Sequence, residues 1–136
     1  MPRRNPHEEE TKTLKSDKLA LLIAEAALDK KSLNLEIIDV HDKVDYTDYV
    51  VVCSASTPRQ VHAIASHIDD KLRGAGARSA IEGLTQSLWV LLDFGDVVVH
   101  VFHHPLRSYY DIEGLWMDAR RMPVDFPAEL RVANLV

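Results

Sequence analysis

The sequence predicts one α/β domain in which helices flank a mixed β-sheet, and two observations support this prediction. A strongly apolar run, Tyr49 to Ala55, leads directly into a helix start at Thr57 and Pro58. A pair of apolar runs, from Ser87 to His104, then folds back on itself at the sequence DFGD. A strand, a helix and a returning strand form a crossover unit, which favours a partly parallel sheet with helices packed on it.

Composition divides the 136 residues into three segments. Residues 1–15 mix proline, charge and threonine without hydrophobic periodicity, so we predict a disordered leader there. We expect the folded domain over residues 16–118. An irregular tail is expected over residues 119–136, which contain Pro123 and Pro127.

The first helix is expected to begin with Ser16 as its N-cap, because a serine hydroxyl can accept a backbone N–H bond there. Its apolar stripe consists of Leu19, Leu22, Ile23, Ala26 and Ala27. The run from Leu35 to Val40 predicts a strand, and the sequence DYTD turns the chain into the next strand at Tyr49.

The second helix has the clearest start in the chain. Thr57 is predicted as the N-cap, Pro58 as the first helical residue and Gln60 as the third, which together form a capping box. Its apolar stripe consists of Val61, Ile64, Ala65, Ile68 and Leu72, and Gly74 and Gly76 end it. A short strand is expected near SAIEG, and PLRSYYDIEGLW predicts helical turns packed at the sheet edge.

The hairpin from Ser87 to His104 predicts two different faces. With Phe94 and Gly95 as a two-residue loop, Asp93 lies opposite Asp96. The pairs on one face are then purely aliphatic: Leu92 with Val97, Val90 with Val99, and Leu88 with Val101. The pairs on the second face are Leu91 with Val98, Trp89 with His100, and Ser87 with Phe102. We therefore expect Trp89 and His100 to touch.

Two interpretations of the second face remain open. The chain's own helices could cover it, with the Trp89 N–H and His100 satisfied internally. Alternatively, part of it is a docking surface, because exposed apolar patches that contain Trp and Tyr mark protein interfaces. Two long helices and a few short turns are little material with which to cover both faces of the sheet, and this shortage favours docking.

Composition excludes several classes of function. A net charge of -5 argues against a broad phosphate-binding surface and favours a basic protein partner. The single cysteine, Cys53, cannot form an internal disulfide and indicates a reducing compartment. No apolar run is long enough for a membrane span, and the N-terminus contains no apolar signal core. We therefore expect a cytoplasmic protein.

The longer motifs resemble one known family. The segments DYVVVCSASTPRQVHAIASHI, IEG, WVLLDFGDVVVHVF and RSYYDIEGLW are similar to the ribosomal silencing factors, RsfS, also called Iojap-like proteins. The resemblance covers about Ser16 to Trp116, and it implies an α/β domain similar to the nucleotidyltransferase fold. Neither the leader nor the tail takes part in it.

The resemblance also implies a function. Members of the RsfS family bind the large ribosomal subunit through the interface ribosomal protein numbered fourteen, and so block joining of the small subunit sterically. The expected consequence is lower translation when nutrients are scarce, and the free protein is expected to be a homodimer. A mitochondrial relative implies an alternative role in large-subunit assembly, which uses the same docking face.

The family signature can be carried over to particular residues. It implies partner docking by Trp89, Leu91, Asp93, Asp96 and His100, with Tyr109 and Tyr110 downstream. Trp116 is expected to be a core anchor. Arg107 could either pair locally with Asp111 or Glu113 or contact the partner, and the sequence favours neither.

Enzymatic and metal-binding functions are the remaining alternatives. A nucleotidyltransferase would need a glycine-containing loop after the second strand, whereas this chain has SASTPRQ there. Asp93 and Asp96 flank a turn rather than alternate on one strand, although they could still converge on a metal. His62 and His67 are five residues apart, which is wrong for a helical zinc pair. We expect no catalytic residue, no metal and no cofactor.

Overall fold

A computed structural model describes residues 14–126 and shows four helical segments and five strands. The helices are α1 (Ser16–Asp29), α2 (Pro58–Gly74), α3 (His104–Tyr110) and a 3-10 helix (Ile112–Trp116). The strands are β1 (Leu33–Asp39), β2 (Tyr49–Ala55), β3 (Ala80–Glu82), β4 (Trp89–Asp93) and β5 (Val97–His103). None of these helices is long and apolar enough to cross a bilayer.

The strands form one mixed sheet in the order β1-β2-β5-β4-β3. Strands β2 and β5 are parallel, whereas β1 with β2, β4 with β5 and β3 with β4 are antiparallel. The parallel strand that returns beside β2 is therefore β5, which follows α2, β3 and β4 in the chain. This arrangement confirms the predicted α/β class with a mixed sheet between helices.

The two long helices cover one face of the sheet. Their apolar stripes pack on alternate residues of the central strands, and the largest core cluster forms there, with Ile23, Ile64, Val51, Val90 and Val99 among its fully buried side chains. A smaller cluster lies on the second face, where Trp116 and Ala119 cover Ile38, Val52 and Phe102. The short C-terminal elements thus cover only part of the second face.

Helix α2 begins as predicted, and α1 does not. The Thr57 hydroxyl accepts the Gln60 backbone N–H at 3.1 Å, and Pro58 is the first helical residue. The Gln60 amide does not return to the cap, as the capping box requires, but donates to the Lys30 carbonyl and so joins α2 to the end of α1. Ser16 is the first residue of α1 rather than its cap; Lys15 holds the cap position without a side-chain bond.

The predicted hairpin register is wrong by two residues. Trp89 lies opposite Phe102 and Leu91 opposite His100, while Asp93 lies opposite Val98 rather than Asp96. Phe94 N–H donates to the Val97 carbonyl at 2.9 Å, so the loop consists of Gly95 and Asp96. Because a shift of two keeps every side chain within the strands on its predicted face, the division into two faces survives.

The residues that precede β4 depart further from the prediction. Ser87, expected opposite Phe102, is buried in a turn with a φ of 54°. Leu88, expected on the aliphatic face, is 39% exposed. The positive φ at Ser87 turns the chain just before the strand begins, so the alternation of faces starts only at Trp89.

The segment after the 3-10 helix lies along β1. Asp39 N–H donates to the Arg120 carbonyl, and Met122 N–H donates to the Ile37 carbonyl, each at 2.8 Å. This part of the chain therefore pairs with the outer edge of β1. Residues 1–13 and 127–136 lie outside the described residues, so the predicted leader and the domain boundaries remain predictions.

Candidate docking surface

Four aromatic side chains form a continuous row on the second face of the sheet, and we call Tyr109, Tyr110, Trp89 and Phe102 the aromatic row. Tyr109 packs edge-on against Tyr110 with ring centroids 5.0 Å apart. Tyr110 lies 4.7 Å from Trp89, and Trp89 stacks on Phe102 at 5.0 Å. The row runs from solvent into the core, since Tyr109 is 79% exposed and Phe102 is fully buried.

Trp89 is held from both sides, and its polar atom is satisfied. The indole N–H donates to Nδ1 of His100 at 3.0 Å, a diagonal contact between β4 and β5. The predicted contact between Trp89 and His100 is therefore present, although the two residues are not direct cross-strand partners. Only the indole ring, and no longer its N–H, is available to a partner.

His100 is a neutral acceptor in this contact. Burial lowers the pKa of its imidazole to about 4, and the opposing charge of Glu113 offsets only part of this effect. The imidazole is therefore neutral near pH 7 with one proton, and the bond from the Trp89 N–H assigns that proton to Nε2 and leaves Nδ1 as the acceptor. This protonation state is the one that the Trp89 N–H needs.

The face remains partly open beside the row. Leu91, Val98 and His100 are half-buried, and Asp93 is exposed at the end of β4. Among the described helices, α3 reaches Trp89 through Tyr110, and the 3-10 helix packs over β1, β2 and Phe102 of β5. Of the two interpretations left open by the sequence, internal cover applies near Phe102, and an accessible surface applies near Leu91 and Asp93.

The two turn aspartates have different environments. The Asp93 carboxylate accepts the Gly95 N–H at 2.8 Å and otherwise faces solvent. Asp96 is only 6% exposed, and its carbonyl accepts the N–H groups of Asp48 and Tyr49. The prediction that both aspartates share the docking face fails for Asp96, because the corrected register places it inside the loop junction.

Arg107 is a buried anchor for the helix that carries the two tyrosines. Its guanidinium donates to Glu113 at 2.8 Å and to Ser54 at 3.3 Å, and it lies 3.5 Å from Glu36. Only 8% of this side chain is exposed. The choice left open by the sequence is thus settled towards pairing, with Glu113 rather than Asp111 as the local partner, and Arg107 fixes α3 against β1 and β2.

Trp116 lies where the sequence predicted a core anchor. It is 9% exposed and packs with Ile38 and Val40. Its neighbours Leu115 and Met117 are 70% and 82% exposed, and no sequence pattern predicted the exposure of either. Leu115 and Met117 flank Trp116 in the chain, and only the Trp116 side chain of the three is buried.

Cys53 and the histidines of α2 were the other candidates for a reactive or metal-binding site. Burial raises the pKa of the Cys53 thiol to about 12, so it remains protonated and acts as a packing group. His67 contacts Asp29 at 3.0 Å, and His62 contacts Ser66 at 3.4 Å, so the two histidines face different neighbours. Within residues 14–126, no three His, Cys, Asp or Glu side chains converge as metal ligands would.

Comparison with known proteins places these features in a family. A sequence profile described as "Ribosomal silencing factor during starvation" matches residues 13–134. Ribosomal silencing factor RsfS of Bacillus subtilis is 41% identical over 113 residues, which is 82% of this chain and 96% of that protein. The chloroplastic protein Iojap of Arabidopsis thaliana is 29% identical over 115 residues, 85% of this chain and 48% of that protein.

Solved structures agree with the sequence relatives. A crystal structure of a Chromobacterium violaceum protein superposes with a TM-score of 0.75 at 33% identity, covering 85% of this chain and 96% of that one. One from Bacillus halodurans gives 0.71 at 33% identity, covering 79% and 99%. With the profile match spanning nearly the whole chain, this protein belongs to the RsfS family of ribosomal silencing factors.

Proposed function

We propose that this protein silences ribosomes by binding the large subunit through the interface ribosomal protein numbered fourteen. Its bulk then occupies space that the small subunit needs, so subunit joining fails and translation falls when nutrients are scarce. Family membership supports the silencing role. The observation that carries the docking step is the aromatic row, which ends in an exposed tyrosine beside an open sheet face.

The row has the chemistry of an interface hot spot. Tyr and Trp are enriched where a few side chains supply most of the binding free energy, because their rings bury a large area at a small entropic cost. Tyr110 and Trp89 support each other, so Tyr109 is presented by a preformed platform. Leu91 and His100 extend the surface, and the Asp93 carboxylate at its edge suits a basic partner.

Steric blocking requires no bond making, so the proposal assigns no catalytic residue and no cofactor. The factor need only bind before the small subunit does and dissociate slowly. Such a factor acts where free large subunits are, which for this proposal is the cytoplasm.

We extend the proposal to the free protein, which we expect to form a homodimer that covers the same surface. Tyr109, Leu115 and Met117 are all more than two-thirds exposed. Covering such side chains with a second copy would remove apolar surface from water, which favours self-association in a free protein. Sedimentation velocity of the wild type and of Tyr109→Ala tests this extension, and an equally dimeric variant would count against it.

Co-sedimentation with purified ribosomal subunits tests the docking step. Tyr109→Ala is the informative variant, because a side chain that is 79% exposed can be truncated without disturbing the core. Tyr46→Ala is the matched control: Tyr46 is 57% exposed but lies in the loop between β1 and β2. We expect the wild type and Tyr46→Ala to pellet with large subunits, and Tyr109→Ala to bind at least about tenfold more weakly.

Two results would contradict the proposal. If the wild type failed to pellet with large subunits, the partner would be wrong. If Tyr109→Ala bound as well as Tyr46→Ala, the docking surface would be wrong. Because both roles use the same docking face, deletion of the gene separates silencing from assembly: loss of a silencing factor causes a defect mainly in starvation, whereas loss of an assembly factor leads to accumulation of large-subunit precursors during fast growth.

A further inference from the structure

Charged side chains are distributed unevenly between the two ends of the sheet. Where β2 and β5 begin, the β1–β2 loop and the β4–β5 turn are joined by the bonds from Asp48 and Tyr49 to the Asp96 carbonyl. Burial and then the charges of nearby aspartates raise the pKa of Tyr49 in this region. The carboxylates gathered here, which we call the acidic end, are Asp17, Asp39, Asp42, Asp45, Asp48, Asp93 and Asp96.

At the opposite end of the sheet, where β2 and β5 finish, the unpaired cations lie on the side of α1 and α2, whereas Glu36, Asp111 and Glu113 lie on the side of α3. We call the α1 and α2 side of this end the basic end. Lys30 and Lys31 follow the end of α1, and Arg59 lies in the first turn of α2. The bond from the Gln60 amide to the Lys30 carbonyl holds these two segments together. All three cations are exposed, and none has an ion-pair partner within residues 14–126. Lys71 and Arg73, further along α2, are both paired with carboxylates.

The topology creates a crevice at this basic end. Strand β2 continues into α2 on one face of the sheet, and β5 continues into α3 on the other face. Ligands of open α/β sheets bind outside the carboxyl ends of strands where successive connections diverge in this way. Beside this point a cavity of about 250 Å³ is lined by Pro58, Arg59, His62, Thr85, Gln86 and Ser87, with no carboxylate among them.

We infer that this basic end, defined by Lys30, Lys31, Arg59 and His62, is a second contact surface that binds the phosphate backbone of RNA. Three unpaired cations on two adjoining segments suit a chain of phosphates better than one isolated anion. The hydroxyl of Thr85 and the amide of Gln86 add neutral donors at the cavity, and the positive end of the α2 dipole strengthens the same field. Because the net charge of the protein is -5, the rest of its surface repels phosphate, so we expect weak binding at this end alone.

The surface is separate from the proposed docking surface. The aromatic row lies on the second face of the sheet, whereas α2 packs on the first. RNA binding here therefore makes no use of Tyr109 and does not depend on the silencing proposal. For contact through three cations, the logarithm of the association constant should fall linearly with the logarithm of the salt concentration, with a slope of about -2.7. Between 50 and 200 mM salt, this slope corresponds to a loss of roughly 40-fold.

The test measures binding of the full-length protein to a fluorescein-labelled 20-base-pair RNA duplex by fluorescence anisotropy across this salt range. The variant is the triple Lys30→Glu, Lys31→Glu, Arg59→Glu. The control, Lys15→Glu, Lys18→Glu, Arg120→Glu, makes the same change in net charge with exposed residues at the acidic end. Thermal melting of both variants verifies that they remain folded.

We expect the wild type and the acidic-end control to bind with similar salt slopes. The basic-end triple should bind at least about tenfold more weakly at 50 mM salt, with a slope reduced towards zero. Equal losses in the two triples would overturn the inference, because they would reflect net charge alone. Absence of wild-type binding at 50 mM salt would overturn it as well. Tyr109→Ala should bind the duplex like the wild type. The RNA measurement therefore tests this inference even if the silencing proposal is wrong.

Discussion

The indole N–H of Trp89 donates to Nδ1 of His100 across 3.0 Å, and this single bond joins the proposed docking surface to the protonation state of one histidine. The bond exists only while Nδ1 is unprotonated. Because burial lowers the pKa of His100 to about 4, that condition holds throughout the neutral range. The orientation of Trp89, and of Tyr110 packed against it, is therefore insensitive to pH near 7.

His100 should make the protein less stable as the pH falls below 6.5. The unfolded chain gains a proton near pH 6.5, whereas the folded chain gains it only near pH 4, so acidification favours unfolding between these values. At pH 5 this difference costs about 2 kcal/mol, and above pH 7 it vanishes. His100→Gln, which retains an acceptor for the indole, should lose this part of the pH dependence. Urea unfolding at pH 7.5 and pH 5.0 measures it.

The comparison between wild type and variant removes the contribution of the other titrating groups. His41→Gln is the control, since that imidazole is exposed and the Asp39 carboxylate raises its pKa instead. A raised pKa adds stability below pH 6.5, so this variant should become relatively less stable on acidification. If His100→Gln lost as much stability between the two pH values as the wild type, the conclusion that burial lowers the pKa of His100 would be wrong.

Truncation of the buried Arg107 side chain should destabilise the fold strongly. Arg107→Ala leaves the carboxylates of Glu113 and Glu36 without this cation in a largely buried site. We expect a loss of about 3 kcal/mol in the free energy of unfolding. Arg73→Ala serves as the control, because its bonds to Asp69 and Asp70 are exposed helix pairs worth only about 0.5 kcal/mol. Equal losses in the two variants, measured by urea unfolding, would remove Arg107 from its anchoring role.

The elements that sequence patterns predicted well are those specified locally. Thr57, Pro58 and the following stripe define the start and buried face of α2 within one short segment. The partition of the hairpin into two faces was also predictable, since it depends only on alternation. The register depends on which position of the two-residue loop Gly95 occupies. Gly95 has a φ of 86° and is the first loop residue, as a II′ turn requires, whereas the predicted loop had it second.

The parts of the site that sequence could not predict come from distant segments. The partners of Arg107 include Ser54 and Glu36 on β2 and β1, 53 and 71 residues away, and nothing near Arg107 signals them. The carbonyl of Asp96 likewise bonds to Asp48 in the β1–β2 loop and to Tyr49 at the start of β2, both distant in the sequence. The family resemblance supplied the candidate residues, but only the fold shows that Asp93 is exposed while Asp96 is not.

Gly83 should be essential for the approach of the chain to β4. A Cβ at this position would lie 2.2 Å from the Trp89 carbonyl oxygen, and its φ of 87° strains any other residue. Gly83→Ala should therefore destabilise the protein by more than about 2 kcal/mol and disturb the environment of Trp89. Gly74→Ala, with open space around the added Cβ at the end of α2, should be neutral or stabilising by up to about 1 kcal/mol. Similar thermal shifts in the two variants would be inconsistent with this close approach.

Asp93 should tune the rate of docking rather than the fold. Its carboxylate is exposed at the edge of the open face, and Asp93→Asn retains an oxygen that can accept the Gly95 N–H. Against a basic partner, loss of this charge should slow association several-fold and reduce its dependence on salt, with little change in dissociation. Asp70→Asn makes the same charge change on α2, on the other side of the sheet, and should leave association with large subunits unaltered. Stopped-flow association at 50 and 200 mM salt distinguishes the two variants. Identical rates and salt dependence for Asp93→Asn and the wild type would place this carboxylate outside the interface.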